Sequence, residues 1–77
     1  MTRVYIEWHD AFSFDPWADE ETATAYCNEP MLVQSTGWLL DETDKHITIC
    51  HSHNKDSQVT GCIHIPIGCI TKMKKYG

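Results

Sequence analysis

The chain has 77 residues, 42% of them hydrophobic and 22% charged, with a formal net charge of −5. This describes one domain, residues 1–77, near the small end of what folds alone, with room for only a modest core. No apolar run approaches the roughly 18 residues of a helical membrane span. The acidic balance argues against general nucleic-acid binding, which needs basic surface to release counterions.

The charge is unevenly spread. Residues 1–44 carry ten acids and Arg3, a sum of −9, while residues 45–77 carry five lysines and Asp56, a sum of +4. No charged-then-apolar leader opens the chain, since Arg3 is followed by VYIEWHD. The expectation is a soluble protein made and kept in the cytoplasm. Cys27, Cys50, Cys62 and Cys69 are then expected as free thiols, because disulfides in a short chain go with secretion.

Residues 3–9 alternate: Val4, Ile6 and Trp8 point one way, and Arg3, Tyr5, Glu7 and His9 the other. That is the pattern of a half-buried strand. Asp15 followed by Pro16 reads as an N-cap and first helical position, with Asp19, Glu20 and Glu21 near the positive end of the helix dipole. The helix is expected to run to about Tyr26, inside a long connection that Asn28, Glu29 and Pro30 end. Residues 31–40 read as a second strand and residues 46–53 as a third, after a polar turn at 41–45. Residues 54–58 form another turn. Val59, Gly61, Ile63 and Ile65 then alternate with Thr60, Cys62 and His64. Pro66 and Gly68 break that run before a short last strand at 69–73.

The richest stretch chemically is HITICHSHNKDSQVTGCIHI, residues 46–65. Facing the apolar residues of its two strands together pairs Ile49 with Ile63 and Ile47 with Ile65. Cys50 then lies opposite Cys62, and Thr48 opposite His64, on the other face. Cys50, Cys62 and His64 are the metal candidates this produces, with His46 further along. They fall short of the paired spacings zinc prefers, so cysteines acting as small apolar residues are the plainer reading. His51 and His53 are expected at an exposed hairpin tip.

If Leu39 pairs with Ile47, Trp38 lies beside Thr48 and near His64. With Thr36 this makes a polar-aromatic surface able to stack a base or meet a subunit. The competing reading has Trp38 plugging one end of the fold. Motifs for nucleophilic, phosphate-loop or zinc-hydrolase catalysis are absent, so no enzyme and no cofactor is expected. Asp10 and Ser13 suit hydrogen bonds to loop amides. Gly37 before Trp38 suggests a bulge or a close backbone approach. The three tryptophans are expected to supply most of a small core.

Five short strands with one long early connection close most easily as a barrel. The order, with Ile65-Pro66-Ile67-Gly68-Cys69-Ile70 before the last strand, resembles a Src-homology-3-like barrel. The expected fold is therefore mainly β: a small five-stranded barrel of that type with one short helix in the first connection. The spacing of Tyr5, Trp8, Trp17 and Trp38 departs from that family's peptide groove, so no proline-peptide specificity carries over.

A second resemblance rests on three blocks. Trp8-His9-Asp10-Ala11-Phe12-Ser13-Phe14-Asp15 with Trp17 is similar to the W-x-D-A-x-S-x-D-x-W opening of many small, largely uncharacterised bacteriophage proteins. Ser35-Thr36-Gly37-Trp38-Leu39-Leu40 is similar to their central G-W-L-L block, with Thr36 in place of their usual valine. Residues 65–70 match their closing I-P-x-G-C-I. The resemblance implies a phage origin and hence the cytoplasm of an infected bacterium.

Three functions are open on this basis. The first is a non-enzymatic accessory protein that neutralises a host factor, for example in counter-defence by sequestering a small nucleotide signal. Trp38, Thr36, Thr48, His64, Arg3 and Lys72 would be its ligand-binding residues. The second is an interaction module offering Asp19, Glu20 and Glu21 to a basic host or phage protein, its mark being salt sensitivity. The third is a zinc-stabilised structural domain. Strand edges and aromatics also point to a homo-oligomer.

Overall fold

The structure is a computed structural model that describes residues 1–11, 15–28 and 30–76. Five antiparallel strands form one sheet: β1 (Arg3–Asp10), β2 (Met31–Glu42), β3 (His46–His53), β4 (Val59–Pro66) and β5 (Ile70–Tyr76). Helix α1 (Glu20–Cys27) interrupts the β1–β2 connection, and a 3₁₀ turn (Ile67–Cys69) separates β4 from β5. The spatial order is β4-β3-β2-β1-β5.

Alternation places Val4 and Ile6 on one face of β1 and Arg3, Tyr5 and Glu7 on the other. The first face becomes the core. Val4, Ile6, Ile47, Ile49 and Ile65 form one buried cluster, and Trp8, Leu39, Cys69, Ile70 and Met73 pack against it. This cluster joins β1 to β3 and β4, none of them neighbours of β1 in the sheet, so the sheet must curl. Lys75 of β5 reaches Glu42 of β2 across the strand between them, with Nζ 2.6 Å from Oε1.

The curl stops short of closure. β5 pairs with β1 and β4 pairs with β3, but β4 and β5 do not pair with each other. The three-residue 3₁₀ turn carries the chain past the open end to the far edge of β1, and the Ile67 amide donates to the Lys45 carbonyl (2.8 Å) instead of extending β4. The expected closed barrel is therefore corrected to an open curled sheet. The mainly β class, the five strands and the short helix stand.

The β3–β4 register is the expected one, with Ile47 opposite Ile65, Thr48 opposite His64, Ile49 opposite Ile63 and Cys50 opposite Cys62. Its turn is built by Asn54, whose Oδ1 accepts from the amides of Asp56 and Gln58, both at 3.0 Å. The β2–β3 register differs from expectation. Leu39 faces Ile49, Trp38 faces Cys50, and the pairing slips between Leu39 and Asp41. Leu40 is the extra residue of this bulge, which lets both Leu39 and Glu42 keep to the inner face.

The tryptophans do not supply the core. Trp17 is fully exposed, while Trp8 and Trp38 are half-buried. Trp8 cannot sink further without losing the bond from its Nε1 to Ser35 Oγ (3.0 Å). Aliphatic side chains without such a polar handle fill the interior instead. The helix starts later than Asp15-Pro16 suggests. Asp19 is the N-cap and accepts from the Thr22 amide at 2.8 Å, so residues 15–18 stay outside the helix. β5 runs past the expected end at residue 73 to Tyr76.

Candidate ligand-binding face

Every residue that the sequence singles out for ligand binding lies on the outer, convex face. Arg3 stands between Trp38 of β2 and Tyr76 of β5. One step along the strands, Tyr5 stands between Thr36 and Lys74; one further, Glu7 stands between Gln34 and Lys72. Trp38 continues the first rank to Cys50 and Cys62. Beyond the bulge, Asp41, Thr48 and His64 form another rank.

These residues gather in two places. Arg3, Tyr5, Thr36 and Tyr76 line a shallow recess over β1, β2 and β5. Its walls are held by hydrogen bonds. The Tyr5 hydroxyl donates to Glu7 Oε2 (2.7 Å) and accepts from Gln34 Nε2 (2.9 Å), and Thr36 Oγ1 donates to the Val4 carbonyl (3.2 Å). The bond to Glu7 is the main reason the Tyr5 phenol is held above its ordinary pKa. Lys74 Nζ lies 5.2 Å from the Tyr76 ring centroid, a cation–π distance.

The second place is a polar group at the β2–β3–β4 end. Thr48 Oγ1 lies 2.9 Å from His64 Nδ1. The His64 and His46 rings are 4.1 Å apart between centroids, and His46 Nε2 is 3.0 Å from Asp41 Oδ2. The remaining His46 nitrogen meets Thr43 Oγ1 at 3.2 Å.

Trp38 belongs to neither group as expected. The β2–β3 bulge moves it from Thr48 to Cys50, and its ring meets His53 edge-on at 4.9 Å. Trp38 is thus a half-buried cover on the outer face and not an end plug. Lys72 sits opposite Glu7, four residues along β5 from Tyr76 of the recess. Cys50, Cys62 and His64 share a face as expected, but Cys50 is fully buried while Cys62 and His64 are exposed. Among the described residues, no group of three or more His, Cys, Asp or Glu side chains is arranged to hold a metal ion. All four cysteines are free thiols.

The acidic residues lie apart on the β1–β2 excursion. Asp19 spends its carboxylate on the helix cap, and the bonds from Thr22 hold its pKa below the ordinary value. Glu20 and Glu21 are exposed in the first turn of α1, which buries no residue. Asp10 accepts from the Ala11 amide (2.8 Å), as expected of a loop-binding side chain, while Ser13 lies outside the described residues. Among the described residues, no helix is long and apolar enough to cross a membrane.

Sequence reasoning passed over Tyr5 and Tyr76 as recess residues. The signal for Tyr5 was present, since alternation already sets it on the face of Arg3. Tyr76 was hidden by ending the last strand at residue 73.

Family models, curated proteins and solved structures were compared with this chain, and none matches it.

Proposed function

We propose that the protein is a non-enzymatic binding protein whose outer face takes a small anionic ligand with a planar ring, of nucleotide-like chemistry. The observation that carries this reading is the recess of Arg3, Tyr5, Thr36 and Tyr76, with Lys74 beside it. A guanidinium offers forked donors to a phosphate, the lysine adds charge, and phenol rings offer surfaces for stacking. The chain is acidic overall, yet the part of this face around the recess, on β1 and β5, carries Arg3, Lys72 and Lys74 against the single acid Glu7. In the phage setting that the sequence resemblance implies, binding without turnover would withhold a host signal.

Calorimetric titration with nucleoside monophosphates and cyclic dinucleotides, set against free nucleosides and inorganic phosphate, tests this. Saturable nucleotide binding, weakened by salt and lost in Arg3→Ala and Tyr76→Ala, is expected. Equal binding of inorganic phosphate, or none at all, sinks the reading.

The second reading, an acidic module for a basic protein, is favoured by the excursion itself. Trp17 is fully exposed beside the exposed acids Asp15, Asp19, Glu20 and Glu21. A large exposed apolar ring in a segment whose charges are of one sign is a common interface composition. A partner captured by the wild type at low salt and lost from a Glu20→Lys, Glu21→Lys variant would support it. Capture indifferent to salt and to both substitutions would reject it.

A further inference from the structure

The open sheet leaves two edges, and they differ in kind. β5 carries Lys72, Lys74 and Lys75, the usual protection of a strand edge against another chain. β4 reads VTGCIHIP, with no Asp, Glu, Lys or Arg. Only Ile65 of its eight residues is buried. Ile63 is 39% exposed and Val59 40%, although register puts Ile63 opposite the buried Ile49, on the core face. The core is thus uncovered along this edge, and the strand beside it lacks the charges that would keep another strand away. The remaining core of five aliphatic residues is small for the chain, so further burial is energetically useful.

We propose that β4 pairs antiparallel with β4 of a second copy, across a two-fold axis, to give a continuous ten-strand sheet. A strand that seats against Val59 and Ile63 must itself be free of charge, and β4 supplies one. β5 does not, because its lysines would be set against the apolar edge and Lys75 is held by Glu42.

The register follows from two constraints. Directly opposite residues must share a face, so the two residue numbers of each pair sum to an even number. Pro66 has no amide to donate and belongs outside the ladder. Of the registers meeting both, the one with the longest ladder places Cys62 opposite the partner's Cys62, Thr60 opposite the partner's His64, and Val59 opposite the partner's Ile65. Opposed residues in an antiparallel pair have Cα atoms roughly 4.5–5.5 Å apart, within the span of a disulfide. Cys62 is exposed on the outer face and can report the pairing. This edge lies at the opposite end of the sheet from the β1–β5 recess, so the proposal is independent of the ligand reading.

The experiment combines light scattering with cross-linking in a Cys27→Ser background, which removes the other exposed thiol. A two-chain mass is expected, and diamide should join the two Cys62 side chains, with peptide mapping to locate the bond. Val59→Lys should return the mass to one chain and abolish the cross-link while leaving the far-ultraviolet spectrum of the fold. Ile63→Lys is the second variant and should act likewise. A one-chain mass for the parent protein overturns the proposal. So does an oligomer that survives both lysine variants, or one in which Cys62 does not cross-link.

Discussion

At the scale of single residues, two glycines show how tightly the sheet is drawn. A Cβ on Gly37 would stand 2.5 Å from the Cys50 carbonyl oxygen, the close backbone approach that its place before Trp38 suggested. Gly61 has φ +69° in mid-strand, and the His51 ring occupies the space where its side chain would go. Gly61→Ala should therefore cost about 1–3 kcal/mol of stability. In a His51→Ala background the penalty should shrink to its backbone part, which urea unfolding of the four proteins would measure. An equal penalty in both backgrounds would assign the whole effect to φ. Asp19 gives a pH prediction. Its folded pKa lies below the 3.8 of an ordinary Asp, so its support for α1 is present above that value. That support fades as the pH falls through the lower folded value. Helical circular dichroism should follow this course, and Asp19→Ala should lose both the signal and its pH dependence, while Asp19→Asn, still a capping residue, should lose the dependence alone.

At the scale of elements, the strands were legible where alternation governs and obscure where geometry does. Ile47 and Ile49 against Ile63 and Ile65 fix the β3–β4 hairpin, since any one-residue slip would turn the isoleucines of one strand away from those of the other. The β2–β3 register was misread because Trp38-Leu39-Leu40 offers three large apolar side chains in a row. Nothing in that run marks Leu40 as the residue to be left unopposed. The helix start was misread because both Asp15 and Asp19 are competent caps, and only Asp19 is followed by a turn whose Thr22 amide comes within reach. The helix also stands outside the cooperative core, since it buries no residue. Ala23→Gly costs a helix about 1 kcal/mol. Here it should lower the helical signal and leave the urea midpoint of the sheet unchanged. A matching drop in that midpoint would show that the excursion is coupled to the core.

At the scale of the whole molecule, the long axis of 52 Å against 23 and 19 Å reflects a curled sheet with a projecting excursion. The sequence shows that β strands dominate, but closure depends on where a three-residue turn sends the chain, and no residue pattern encodes that direction. The candidate ligand residues were legible as a face and not as a site. Alternation put Arg3, Thr36, Thr48 and His64 outward, but their division into two groups depends on strand order. The clasp between Lys75 and Glu42 spans the mouth of the curl and looks structural. Both side chains are more than a third exposed, however, so solvent screens the pair. Lys75→Ala should change unfolding free energy by less than about 1 kcal/mol. A larger loss would mean that the clasp holds the curl shut.

Cys50 ties these scales together. It sits opposite Trp38 and Cys62 on the outer face, yet no part of it reaches solvent. A thiol so placed is a built-in clock for the breathing of the sheet. Cys27 and Cys62 should react with a thiol reagent at once and Cys69 more slowly, according to exposure. Cys50 should wait until Trp38 lifts or the strands part, so the rate of its capture measures how often the sheet opens. Truncating Trp38 to alanine should make that clock run fast even if the global stability barely moves. An unchanged rate would show that the neighbouring strands, and not the indole, keep the thiol dark.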